Sequence, residues 1–88
     1  MSLKNIIFNH YKGQYYRVLC DALDTDKAVP MVVYQQLYAR DIYPEGFIWC
    51  RPYTMFYETI MIENVKTLRF TRVYDYPIQV KDVLERLS

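Results

Sequence analysis

The sequence predicts a mainly β fold (α+β when the tail is counted), a small SH3-like β-barrel followed by a C-terminal α-helix. Three observations favour this class. Apolar and polar residues alternate over short segments, as in strands with one buried face. Turn-forming residues separate these segments, and no βαβ crossover is visible. Only the C-terminal segment has the i, i+3, i+4, i+7 spacing of an amphipathic helix. An OB-like barrel is the second choice.

The length and composition indicate one globular domain. A chain of 88 residues buries about 60–65% of the surface that its unfolded form exposes, which is enough for one modest core. Ten of its residues are tyrosine, whose apolar ring and polar tip suit a thin wall or a wet interface. We expect a barrel domain over residues 1–75, with the helix of residues 76–88 packed on it.

The first two segments predict an opening hairpin. An apolar run over residues 6–11 ends in Lys12-Gly13, which is a turn signal. The next strand, residues 14–22, alternates, so one of its faces is predicted to be buried. That face carries Tyr16, Val18, Cys20 and Ala22.

The middle of the chain predicts two more strands and one helical turn. The β-branched and aromatic run of residues 29–38 has Pro30 near its start, where a missing N–H is tolerated. A loop over residues 40–46 leads to a strand over residues 47–51. Pro52 then favours a single helical turn, Tyr53 to Phe56, in which Met55 and Phe56 plug one end of the barrel.

The remaining segments predict two strands and the tail helix. Residues 58–63 form a strand with Ile60 and Ile62 inward, residues 64–66 turn, and residues 69–74 form the last strand. After Pro77 the helix presents an apolar stripe that either docks on the barrel or pairs with another subunit. The stripe consists of Val80, Val83, Leu84 and Leu87.

Charge and cysteine content narrow the classes of partner. The net charge is +1 and the cations are scattered, which argues against a nucleic-acid clamp, although Arg69 and Arg72 flank Phe70. No apolar run approaches the roughly 18 residues of a membrane span. Cys20 and Cys50 are interpreted as buried thiols of a reducing, cytoplasmic protein; the sequence also permits a disulfide.

Several catalytic chemistries lack their residues. Serine occurs only at Ser2 and Ser88, so a serine nucleophile is disfavoured. A single histidine and the absence of a CxxC pair argue against a structural zinc site. The only glycines, Gly13 and Gly46, form no phosphate loop. We expect neither a metal nor another cofactor.

The sharpest catalytic hypothesis uses His10. It would act as a general base beside Glu58 or Asp21, or serve a cysteine nucleophile. The competing interpretation is a histidine that caps or packs beside the first turn. Alternation puts Cys50 opposite Trp49 and therefore in the core, where a thiol is inert.

Trp49 and Arg51 are the strongest site candidates because they point the same way from one strand. With Tyr34 and Tyr38 on a neighbouring strand, they would form an aromatic floor with a cationic edge. Such a floor suits a planar ring, a nucleobase or a peptide side chain. Trp49 also fits a core, and Arg51 also fits a backbone cap or a pair with Glu58. Tyr11 and Lys12 complete the candidate site at its margin.

Short aromatic and charged clusters recur at fixed spacings over about residues 10–70. They are His10 to Gly13; Tyr16, Val18 and Leu19; Val32 to Tyr34 with Leu37 and Tyr38; Trp49, Arg51, Pro52, Met55 and Phe56; and Arg69-Phe70. This pattern resembles domain-of-unknown-function family 1653, whose members are small and mostly bacterial. The chain departs from the family pattern over Ala22 to Lys27 and at Leu68. The resemblance implies a shared fold and surface, and no reaction.

These observations favour a non-catalytic module that binds a small ligand, a peptide or a protein through its aromatic surface. One alternative is a binder of nucleotides or single-stranded nucleic acid that uses stacking with Arg51, Arg69 and Arg72. Another is a small enzyme with His10 as base. We expect a bacterial, cytoplasmic protein with no membrane partner.

Overall fold

The computed structural model describes residues 5–88, which form seven strands and two helices. In chain order these are β1 (Ile7–His10), β2 (Tyr15–Leu23), β3 (Pro30–Gln36), β4 (Ile48–Pro52), α1 (Tyr53–Phe56), β5 (Thr59–Ile62), β6 (Val65–Leu68), β7 (Phe70–Arg72) and α2 (Ile78–Arg86). Five strands form an antiparallel sheet in the order β4-β3-β2-β1-β7, and β5 pairs with β6 in a separate hairpin.

This architecture confirms a mainly β protein with a C-terminal helix. The described strands form two sheets that are not closed into a barrel, so the SH3-like barrel is unconfirmed. The division into residues 1–75 and 76–88 stays a prediction, and residues 1–4 of the first unit, with Ser2, lie outside the described residues. No helix within residues 5–88 is long and apolar enough to cross a bilayer.

The β1–β2 and β5–β6 turns both contain residues with a left-handed backbone conformation. Gly13, at φ 105°, lies in the turn between β1 and β2, as the Lys12-Gly13 pair predicts. The turn between β5 and β6 uses Glu63 and Asn64, at φ 51° and 66°, which is the two-residue pattern of a type I′ turn. The sequence prediction put this turn at residues 64–66 and missed β6, because a Glu-Asn pair is a weaker turn signal than Asn-Gly.

A β-bulge changes which residues of β2 face inward. Val18 pairs with Tyr34 but Cys20 pairs with Val33, so Leu19 is the extra residue. Past the bulge the alternation is inverted. The prediction that Cys20 and Ala22 share the buried face with Val18 is therefore wrong: both are exposed.

The other cysteine is also exposed, because β4 is an edge strand whose inward side carries Trp49. Cys50 was predicted to be core and is not. Both thiols lie opposite Val33, one on each neighbouring strand. Two strand spacings of about 4.8 Å put their Cα atoms well beyond the roughly 7 Å that a disulfide can span.

One face of the five-stranded sheet, which we call the aromatic face, is covered by α1 and its neighbours. Its buried members are Phe8, Val18, Val32, Tyr34, Phe56 and Phe70. Phe56 is fully buried and stacks on Phe70 with ring centroids 4.3 Å apart. The predicted helical turn after Pro52 is confirmed. Of the two expected plugs only Phe56 is buried, since Met55 is 45% exposed.

The opposite face, which we call the helix face, is covered by α2. The helix begins after Pro77 and buries Val80 and Val83 against Ile7 of β1 and Leu37, the residue that follows β3. This aliphatic cluster covers only part of the face, and Cys20, Cys50 and Ile48 lie beyond it. The β5–β6 hairpin packs even less, because Ile62, predicted to point inward, is 37% exposed.

Candidate functional site

A cleft of 530 Å³ opens on the aromatic face, between the β1–β2 turn, the loop after β3, and β4. All six predicted site residues line it: Tyr11, Lys12, Tyr34, Tyr38, Trp49 and Arg51. The other lining residues are His10, Gln14, Tyr16, Gln36, Ala39, Arg40, Tyr43, Arg69 and Phe70. The structure brings the predicted residues together, and their role in binding stays a prediction.

Strand register explains why Trp49 and Arg51 face the cleft. Trp49 pairs with Tyr34, and Arg51 pairs with Val32 on the same side of the sheet. Tyr34 is only 5% exposed and forms the floor. Trp49 is half-buried, with its ring centroid 4.9 Å from that of Tyr43. Trp49 therefore packs against the core of the aromatic face and also forms part of the cleft wall.

The buried side chain of Gln36 holds the tryptophan in place. Gln36 is 1% exposed, and its Oε1 accepts a hydrogen bond of 3.1 Å from Trp49 Nε1. Its Nε2 donates to the carbonyl oxygens of Tyr38, at 2.8 Å, and Tyr43, at 3.1 Å. The sequence prediction did not single out Gln36. A glutamine in phase with the buried Val32 and Tyr34 is the signal that could have revealed it.

Two tyrosine hydroxyls meet at one side of the cleft. The hydroxyl oxygens of Tyr16 and Tyr38 lie 2.5 Å apart and share a hydrogen bond. Burial, and then the hydrogen bond with Tyr38, raise the pKa of Tyr16 above its usual value of 10.0. The Tyr16 hydroxyl is therefore neutral near pH 7, and the two side chains offer the cleft hydroxyl groups that can donate or accept a hydrogen bond.

His10 is a neutral imidazole in this cleft. Its Nδ1 accepts a hydrogen bond of 3.2 Å from the backbone N–H of Lys12, so Nε2 carries the proton. Burial, followed by the charges of Arg69, Arg51 and Lys12, lowers the pKa of His10 from 6.5 to about 4. At neutral pH the ring is a hydrogen-bond donor with its basic nitrogen already engaged.

The acids proposed to assist His10 are elsewhere. Glu58 accepts two hydrogen bonds from Arg69, which also corrects the alternative that it pairs with Arg51. Asp21 does not line the cleft. Among the described lining residues there is no carboxylate at all. Likewise, no cluster of three metal-ligating side chains occurs within residues 5–88.

Arginine and lysine side chains give the cleft its charge. The Arg51 guanidinium lies 6.0 Å from the centroid of the Phe70 ring, and the Lys12 ammonium lies 5.8 Å from that of Tyr11. Arg69 is engaged by Glu58, and Arg40 pairs with Asp41 outside the cleft. The arrangement is a half-enclosed aromatic surface with a positive edge.

Comparison with known proteins identifies the family. A family model described as "Protein of unknown function (DUF1653)" matches residues 6–72, so the chain belongs to this family. It is also similar to a crystal structure of a protein of the same family from Bordetella bronchiseptica. That similarity has 29% identity and a TM-score of 0.71, and covers 84% of this chain and 92% of the other. No curated protein matches.

The matched segment contains the six predicted site residues and ends before α2 begins at Ile78. The family model therefore matches the part of the chain that forms the sheet and the cleft. The family carries no assigned activity, so the chemistry of the cleft has to be argued from its own residues.

Proposed function

We propose that this protein is a non-catalytic binding module whose cleft holds a small ligand or a peptide side chain. The observation that carries the proposal is the convergence of the six predicted residues on one 530 Å³ cleft. Binding pockets for small molecules have volumes of roughly 300–1,000 Å³ and combine aromatic walls with a few polar groups. Aromatic rings, hydroxyl groups and guanidinium groups are all available here.

The protonation of His10 supports binding over catalysis. A general base needs an unprotonated nitrogen that faces its substrate and a pKa near the working pH. The Nδ1 atom of His10 is engaged by the backbone of Lys12, and the pKa is about 4. With no carboxylate among the described lining residues to orient it, the alternative of a small enzyme has weaker support.

A nucleotide or single-stranded nucleic acid is the second candidate ligand. The aromatic walls and the cation at their edge favour it, since bases stack on such surfaces. Of the three arginines named for this role, Arg72 lies outside the cleft, 4.7 Å from the Tyr74 ring, and Arg69 is paired with Glu58. The available positive charge suits one nucleotide better than a long strand.

Two broader proposals accompany this one. The five-stranded antiparallel sheet, together with the hydrogen bond from Arg69 N to Glu58 O that connects it to the β5–β6 hairpin, supports an open SH3-like half-barrel around the cleft. Similarity to a Bordetella bronchiseptica protein supports a bacterial origin, and a cytoplasmic location is proposed with it.

Trp49, the only tryptophan, supplies the test. Its fluorescence should change on titration with aromatic ring compounds, and the change should saturate. A Tyr38→Ala variant should bind more weakly because it removes part of the cleft wall. An Ile48→Ala variant should bind as the wild type does, since Ile48 is 55% exposed on the helix face. Equal loss in both variants, or no saturable signal with any ring compound, would contradict the proposal.

A further inference from the structure

The cations of the cleft differ in whether they have a carboxylate partner. Four cations line it, and among the described residues two of them have a carboxylate partner: Arg69 with Glu58, and Arg40 with Asp41. Arg51 and Lys12 form no ion pair there. A half-buried guanidinium that faces a cleft without an acid leaves its donors available to an anion.

The position of Arg51 favours an anion that is attached to a ring. Its guanidinium packs over the Phe70 ring, and Trp49 stands two residues away on the same face of β4. An anion bound by Arg51 would therefore lie beside the Trp49 ring and above the floor formed by Tyr34. A free inorganic ion would leave these aromatic surfaces wet, whereas a ring would cover them.

The surroundings of His10 show that the local potential is positive. Charged or titratable groups surround it from every side: Lys12 and Tyr11 after β1, Tyr16 on β2, Arg51 on β4, and Arg69 before β7. Burial lowers the pKa of His10 most, and three of these groups are cations that lower it further. The imidazole stays neutral and offers its Nε2–H, which suits an anionic oxygen.

We infer that the cleft ligand is a planar ring with an anionic substituent, a phosphate or a carboxylate, held with its charge against Arg51 and its ring against Trp49. This inference rests on the proposed function and specifies its ligand class. Phosphate would be supplied by a mononucleotide, and carboxylate by an aromatic residue at the C-terminus of a peptide.

Matched pairs of probes test the inference and separate the two sources. The first pair is adenosine monophosphate and adenosine, and the second is N-acetylphenylalanine and its uncharged amide. The charged member of one pair should bind at least about 10-fold more tightly than its neutral partner. Arg51→Gln should abolish that preference, and Arg72→Gln, which changes a charge outside the cleft, should retain it.

The single histidine adds a readout that is measured on the wild-type protein and therefore does not depend on whether a variant folds. In the wild-type protein, an anion beside His10 should raise its pKa toward 6.5, as followed by NMR of the imidazole protons, whereas a neutral ring should leave it low. Neutral probes that bind as tightly as charged ones would overturn the anion subsite and leave the binding module standing. If no probe of either kind bound, both would be contradicted.

Discussion

The two faces of the five-stranded sheet are covered by different types of side chain. The helix face is closed by aliphatic side chains, with Val80 and Val83 of α2 packed on Ile7 and Leu37. The aromatic face is closed by rings, beside which a cleft remains open. Aliphatic side chains interdigitate until little space is left, while tyrosine rings turn polar tips toward water.

The difference assigns stability and recognition to different groups of residues. The cleft carries cations, hydroxyls and a buried amide, while the cluster under α2 carries no charge at its centre. If this distinction is correct, substitutions on the helix face change the free energy of unfolding alone. Substitutions at the cleft wall change ligand binding as well.

The largest effect is expected from Phe56→Ala. Phe56 is fully buried between Phe8, Tyr34 and Phe70, so its loss should cost about 3–5 kcal/mol of unfolding free energy. Leu37→Ala, the matched change on the helix face, should cost about 2–4 kcal/mol. Urea denaturation measures both. A smaller loss for Phe56→Ala than for Leu37→Ala would contradict the view that the rings form the principal core.

Adjacent glutamines on β3 offer a sharper contrast between the faces. Gln36→Leu leaves Trp49 Nε1 and the carbonyl of Tyr38 without their buried partner and should cost about 2–3 kcal/mol. Gln35→Leu, on the helix face, removes half-buried hydrogen bonds with Arg17 and with the carbonyl oxygen of Gly46. Water can replace these bonds, so the cost should be smaller, about 1 kcal/mol. Chemical denaturation and the emission wavelength of Trp49 report both changes. Equal costs would refute the assigned role of Gln36.

The two glycines probe the approach of the helix to the sheet. Both have a left-handed φ, at 93° for Gly46 and 105° for Gly13, so alanine at either should cost about 1–2 kcal/mol. A Cβ at Gly46 would also lie 2.9 Å from Leu87 Cδ2, whereas one at Gly13 meets nothing within 4 Å. Gly46→Ala should therefore lower the melting temperature more. The reverse order would mean that Leu87 does not pack there.

The smallest effect is a pH dependence, because solvent screens the half-buried His10 ring and reduces what the shift of its pKa contributes to stability. Because the pKa of His10 is about 4 when folded and 6.5 when unfolded, the unfolded chain binds more protons between these values. Stability should therefore fall as the pH drops from 6.5 toward 4, and His10 should contribute no further loss below that. Melting curves of the wild type and His10→Gln across this range isolate the effect. Parallel pH profiles would refute it.

Local sequence patterns predicted much of this fold, because turns, helix starts and the buried side of a helix depend on residues that are close together in the sequence. Pro52 lies immediately before α1 as its N-cap residue, Gly13 permits the first turn, and the spacing of Val80 and Val83 sets the buried side of α2. Each of these features depends on a segment of only a few residues. The mainly β class followed from them.

The errors arose where pairing between strands decides the outcome. The bulge at Leu19 inverts the alternation of β2, and the edge position of β4 leaves Cys50 exposed. Neither is visible from one strand. The pairing of Glu58 with Arg69 also depends on where the β5–β6 hairpin lies. The sequence prediction named six cleft residues and did not single out Gln36 or Tyr43. The alternation of β3 signals that Gln36 is buried, but its hydrogen bonds to Trp49 and to the Tyr43 carbonyl appear only when separate segments are brought together.

The most direct test of the distinction between the faces is an NMR map of ligand binding. Amide and side-chain chemical shifts would be followed while adenosine monophosphate or N-acetylphenylalanine is added to the wild-type protein. The account predicts saturating changes at Tyr38, Trp49 and Arg51, with Leu37 and Val83 unmoved. Changes centred on Leu37 and Val83, or spread evenly over both faces, would contradict the central claim that recognition belongs to the aromatic cleft.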